Sequence, residues 1–204
     1  MNYSNGDRSM TVKLVGSTSG SVSLQAPAST TGGAHRVLTL PDVDGTVATT
    51  TTAGKFASYA IIADQKSSGT TGGTFTSGSF QHRDLNTILY DPDSIVSISS
   101  NDFTLQAGSY FVRASAPAFS VNQHMCLLRN HTDGVNIQTG STEFTSDQGY
   151  SSTRSIVSAR FTLSGAKALR ITHKCQTTKS SNGLGPQTGF TTETFTIVEI
   201  FKEL

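Results

Sequence analysis

The chain is poor in the residues that most often carry charge or chemistry. Only 14% of its 204 residues are charged, 15 basic against 14 acidic for a formal net charge of +1, and there is no tryptophan and only two cysteines. This balance leaves no electrostatic footprint for nucleic acid or an anionic membrane surface. No apolar run approaches the roughly 20 residues of a membrane span, and the first ten residues, MNYSNGDRSM, lack the apolar stretch of a signal peptide. The expectation is a protein made in a cytosol and not inserted in a membrane. Cys126 and Cys175 belong to no CxxC pair or ligand cluster, which argues against a zinc site, and a reducing cytosol would keep both as free core thiols. The Asn130-His131-Thr132 sequon is then an empty match.

What is abundant is Ser, Thr and Gly, a composition suited to many short strands and tight turns. From Tyr59 onward β-branched and aromatic residues recur with period two. Leu169, Ile171, His173 and Cys175 alternate with Arg170, Thr172, Lys174 and Gln176; Val157, Ala159, Phe161 and Leu163 alternate with Ile156, Ser158 and Arg160. The last segment differs. In FTIVEIF, Phe195, Ile197 and Phe201 are expected on one face and Val198 and Ile200 on the other, so both faces ask for burial. Nothing between Tyr59 and Leu204 reads as an amphipathic helix, which leaves a second sheet on one side and another copy of the chain on the other.

The pattern divides the chain near Lys55. Residues 1–55 are short apolar beats such as MTVKLVG, GSVSLQAP and HRVLTLP, too thin to form a core alone. Wrapped as three copies about an axis, they would bury Val12, Leu14, Val22, Leu24, Val37, Leu38, Leu40 and Val47 against one another. Residues 56–204 are expected as an antiparallel sandwich of eight or nine strands: 59–65, 79–86, 94–106, 109–119, 124–130, 135–144, 153–163, 168–178 and 194–201.

The string GSTSGSVSLQAPASTTGGAHRVLTLPDVDGTVATT resembles a segment recurrent in tail fibre and other structural proteins of bacteriophages. The later YAIIADQK, TLQAGSYFVRASAPAF, HKCQTT and TFTIVEIFKEL resemble the trimeric jelly-roll heads that cap such fibres, heads similar in fold to those of tumour necrosis factor and complement. The resemblance implies an all-β homotrimer: a short intertwined β-rich shaft and virion-attachment segment over 1–55, then a jelly-roll head over 56–204. It implies a virion tail fibre anchored to a phage tail or baseplate protein, whose head binds a host surface polysaccharide or outer-membrane component without cleaving it. The alternatives are a purely structural virion protein and a secreted cytokine-like ligand.

Candidate chemistry is sparse. Asp42-Val43-Asp44-Gly45 and Asp91-Pro92-Asp93-Ser94 have carboxylates at cation-binding spacing but read first as turns, so no metal or other cofactor is expected. Gly183-Leu184-Gly185-Pro186 precedes no helix and is no phosphate loop. No histidine has a nucleophile partner in a GxSxG setting, His173 falls in phase with the core, and Glu143, Asp147 and Glu193 are the only acids placed in plausible loops for glycoside hydrolysis. A non-enzymatic protein is expected. Eight main strands running up and down place four loops at one pole: Ser67–Gly78, Ala116–Gln123, Thr145–Thr153 and Lys179–Phe190. In them Phe119, Tyr150, Lys179, Asn182 and Phe190 offer the rings, cation and amide suited to a receptor. Phe195, Ile197 and Phe201 are the expected trimer contacts.

Overall fold

The computed structural model describes residues 11–15, 21–25 and 54–204, and the chain divides into two compact units, 1–47 and 48–204. In the first, β1 (Thr11–Val15) and β2 (Ser21–Gln25) pair antiparallel, with Val12 opposite Leu24 and Leu14 opposite Val22. The expected intertwining, the beats from Val37 to Val47 and the Asp42–Gly45 turn lie outside the described residues.

In the second unit the strands are β3 (Phe56–Lys66), β4 (Gln81–His82), β5 (Thr87–Tyr90), β6 (Val96–Ser99), β7 (Asp102–Leu105), β8 (Gly108–Phe119) and β9 (Asn122–Asn130). They continue with β10 (Val135–Thr139), β11 (Glu143–Thr145), β12 (Ser152–Leu163), β13 (Lys167–Cys175) and β14 (Glu193–Glu203), and there is no helix among the described residues. One sheet has the order β12-β8-β14-β3-β5. The other has β10-β9-β13-β7-β6, with β11 added to β9 and β4 to β13. From β8 to β14 the chain crosses repeatedly between the sheets, so most neighbours within a sheet are distant in sequence, β9–β10 and β6–β7 being hairpins. Every pairing is antiparallel, and the result is the jelly-roll sandwich.

The alternation read from the sequence is what closes the core. Leu169, Ile171, His173 and Cys175 of β13 point inward with 0–3% exposure, and Leu169 and Ile171 join Val112, Ala114, Val157, Val198 and Ile200 from the other sheet in the main core. Their apolar area supplies the main favourable term in folding. A smaller cluster of Phe75, Ala118, Val121 and Cys175, with Leu184 against it, lies under the loops at one pole.

Three segments depart from the sequence reading. Residues 79–86 are expected as one strand, but only Gln81–His82 pair in β4; Arg83 turns inward, its N–H donating to Ile171 O and that of Asn86 to Ala63 O, so the segment crosses from one sheet to the other. The expected strand 135–144 is broken at Gly140, where a Cβ would lie 2.8 Å from Ile156 O and 3.0 Å from Cys126 O. In β14 the register with β3 shifts between Thr194 and Ile197, a bulge that leaves Phe195 and Thr196 both buried. Phe195 therefore does not share a face with Ile197 and Phe201. It packs inside the protomer, 4% exposed, where Gly185 has no side chain to meet its ring.

Candidate functional site

Two surfaces of the sandwich stand out. The first is the outer face of the β12-β8-β14-β3-β5 sheet. Beyond the bulge, odd-numbered residues of β14 point outward, and register places Phe201 beside Phe111 of β8 and Tyr59 of β3. The Phe201 ring lies 5.1 Å from Phe56, 6.0 Å from Tyr59 and 6.1 Å from Phe111, and Tyr59 stacks on Tyr90 at 4.8 Å. Phe56, Tyr59, Ile88 and Tyr90 are each over 40% exposed. Around the aromatic cluster charges pair within the protomer: Arg113 pairs with Glu199 at 2.9 Å, and Arg160 forks onto Glu203. Contiguous aromatic surface of this kind is uncommon on a face that stays wet.

The second surface is the pole opposite Lys55 and Leu204, which are tied together by the Leu204 N–H donating to Lys55 O. There the segments 67–78, 120–122, 145–151 and 179–192 converge. They are not slack. Phe75 and Lys179 exchange both backbone hydrogen bonds, Gly72 N–H donates to Gly185 O, Leu184 N–H to Gly73 O, and Phe119 N–H to Gly183 O. Gly183 allows this approach, since a Cβ would sit 2.6 Å from Lys179 O and 2.7 Å from the Phe75 Cβ. Close backbone packing, not anion binding, accounts for the Gly-Leu-Gly-Pro run. Glu193 clasps the rim: its carboxylate accepts from the N–H groups of Gly69, Thr188 and Gly189 and from the Thr188 hydroxyl, which holds its pKa down to about 2.

No family model and no curated protein matches the sequence. Among solved structures, the globular domain of zebrafish complement 1qA is similar over 71% of this chain and 96% of its own, with 16% identity and a TM-score of 0.44. Murine APRIL covers 71% and 98% with 8% identity and a TM-score of 0.46. The vertex protein P5 of PRD1 covers 74% and 98% with 10% identity and a TM-score of 0.44.

The residues singled out from the sequence meet different fates. Tyr150 and Phe190 stand at the pole, 98% and 90% exposed. Phe119 is buried; its ring supports Tyr150 at 6.1 Å and lies 5.6 Å from the Lys179 ammonium, so it holds the presented groups and does not itself reach a partner. Lys179 and Asn182 are half-buried in the 179–185 loop. Ile197 and Phe201 lie half-buried on the aromatic face. Glu143, Asp147 and Glu193 are engaged separately, by Ser141, by Asn122 and by the 188–189 loop. Asp91 caps a turn, accepting from Ile95 and Val96, as its Asp-Pro setting implies. Phe56, Tyr59, Tyr90 and Phe111 were missed as partners of Phe201; the two-sided apolarity of strands 59–65 and 109–119 was the available signal.

Beneath this pole lies a buried polar layer, in which His173 is the core residue its phase implied while Arg83 and His124 were missed. Arg83 is 1% exposed and donates to Thr196 Oγ1, Pro117 O and Leu184 O; burial lowers its pKa to about 10. His124 Nδ1 lies 3.0 Å from His173 Nε2, and His124 Nε2 lies 2.8 Å from the Thr153 hydroxyl. Burial holds both imidazoles neutral, His124 with a pKa of about 4 and His173 well below the usual value. The His173 ring packs on Phe75 at 4.7 Å, so the layer supports the loop cluster above it.

Proposed function

We propose that the chain is the protomer of a homotrimeric, non-enzymatic virion head that binds a host surface structure through its exposed side. The observation that carries this reading is the aromatic face around Phe201, with charges around it paired within the protomer. A second copy covering it gains roughly 1.5–3 kcal/mol for each large side chain fully buried, and an equivalent face on each copy closes naturally into a ring. Ile197, Phe201, Phe111, Tyr59 and Tyr90 are the contacts. Phe195 contributes from behind, by fixing the bulge that turns Ile197 and Phe201 outward.

The resemblance of the amino-terminal segment to phage structural proteins supports attachment of that end to a phage tail or baseplate protein. The pole bearing Tyr150, Lys179, Asn182 and Phe190 is then available to a polysaccharide or outer-membrane component of the host. Its loops are held by Glu193, Phe75 and Gly183, so recognition groups are presented on an ordered base. Three copies multiply a weak contact through avidity. The test has two parts. Light scattering of the full chain should return three times the protomer mass, and the fluorescent protein should label host cells and compete with the phage for adsorption. Tyr150→Ala or Phe190→Ala should weaken labelling with the melting temperature unchanged. A monomer at micromolar concentration removes the assembly reading; a trimer that labels no cell and blocks no adsorption leaves a purely structural head. Shortening of a host polysaccharide would overturn the non-enzymatic assignment.

A further inference from the structure

The outer face of the second sheet carries a groove that neither the polar loops nor the aromatic face explains. Outward residues of β9 and β13 pair across it, Met125 opposite Lys174, Leu127 opposite Thr172 and Arg129 opposite Arg170. Phe80, 42% exposed, stands over the middle and divides the groove into two cavities of about 340 and 280 Å³. In the larger, the Lys174 ammonium lies 5.9 Å from the Phe80 ring centre, with the amides of Gln123 and Gln176 nearby. The smaller is lined by Phe80, Leu127, Arg129, Asn136, Arg170 and Thr172.

At the smaller cavity Arg129 and Arg170 are directly opposed like charges, an arrangement that destabilises a sheet unless an anion intervenes. Asp102 forks onto Arg170, while Arg129 is engaged by the Asn136 amide oxygen at 2.7 Å. Neither Arg129 nor Lys174 has a carboxylate partner among the described residues.

We infer that this groove binds an acidic saccharide chain, with Phe80 stacking on a sugar ring, Arg129 and Arg170 holding a carboxylate or sulfate, and Asn136 meeting its hydroxyls. Guanidinium forks match carboxylate and sulfate geometry, an aromatic platform with amides and hydroxyls around it suits a pyranose, and two cavities in line suit consecutive sugars. The cations are concentrated here in a chain whose net charge is only +1, so the attraction is local to the groove. The groove lies on the sheet opposite the aromatic assembly face and stays open in the assembled head. The inference names a ligand class for the host-binding reading and rests on it for its setting.

The test titrates the full chain with oligogalacturonate, dextran sulfate oligomers and unsubstituted dextran of equal length. At least one acidic probe should bind and unsubstituted dextran should not. Arg129→Gln should weaken binding by 10-fold or more, and Phe80→Ala by a similar factor. Leu204→Ala, exposed and outside both the groove and the pole, should bind as the wild type does. Equal binding of charged and neutral probes, binding of none, or acidic binding unchanged in Arg129→Gln overturns the inference. A head that labels host cells yet binds no acidic probe keeps the host-binding reading and loses the groove. One that binds the acidic probe through these residues yet labels no cell keeps the groove and loses the host-binding reading.

Discussion

Mild acid should loosen the head through His124 and His173, and the sign follows from their burial. In the unfolded chain each imidazole takes up a proton near pH 6.5. In the folded protein His124 does so only near pH 4 and His173 lower still, because desolvation and the nearby Arg83 guanidinium disfavour their charged forms. The unfolded state therefore binds more protons over this window, and stability falls as the pH falls from about 7 toward 4. Between pH 7 and 5, where nearly all carboxylates remain ionised, His124 alone accounts for a loss of about 2 kcal/mol, and His173 steepens it. The assay is urea unfolding of the full chain at pH 7, 6 and 5, followed at protein concentrations low enough to separate dissociation from unfolding. The double variant His124→Gln, His173→Asn should begin less stable at pH 7 and show a flatter pH slope. A wild-type midpoint unchanged from pH 7 to 5, or a slope equal to that of the double variant, would refute the assignment. Glu193 acts in a lower window: its depressed pKa makes its contribution fully present above the usual carboxylate value and lost as the pH falls toward 2.

Phe201→Asp should leave the protomer folded but unable to associate, since the charge would be desolvated in the interface without a partner; light scattering giving the wild-type mass would show that the face is not covered. Gly183→Ala should lower stability by about 1–3 kcal/mol, because the new methyl meets the Lys179 carbonyl and the Phe75 Cβ rather than a flexible side-chain end; a melting temperature equal to wild type would mean that the loop shifts freely. Cys126 and Cys175 should react with a thiol reagent only on unfolding, since both are buried and burial pushes their pKa values up, that of Cys175 to about 11. A mass two daltons low in unreduced protein would instead reveal a bridge.

The sequence by itself determined the fold class, because period two is a local property of the chain. Leu169, Ile171, His173 and Cys175 had to face one way and Arg170 to Gln176 the other whatever their partners were. It also set apolar residues of β14 on both parities, Ile197 and Phe201 on one and Val198 and Ile200 on the other. Only the tertiary structure decided where that alternation slips. The bulge before Ile197 gives Phe195 to the core and leaves Phe201 outside, and a one-residue slip that reverses a face has no signature in composition. The aromatic face joins residues from four separate strands, and the groove joins Phe80 to Arg129 and Arg170; both are products of cross-strand register. Arg83 and His124 are ordinary polar residues in the sequence and join His173 in a buried layer only when the two sheets close over them.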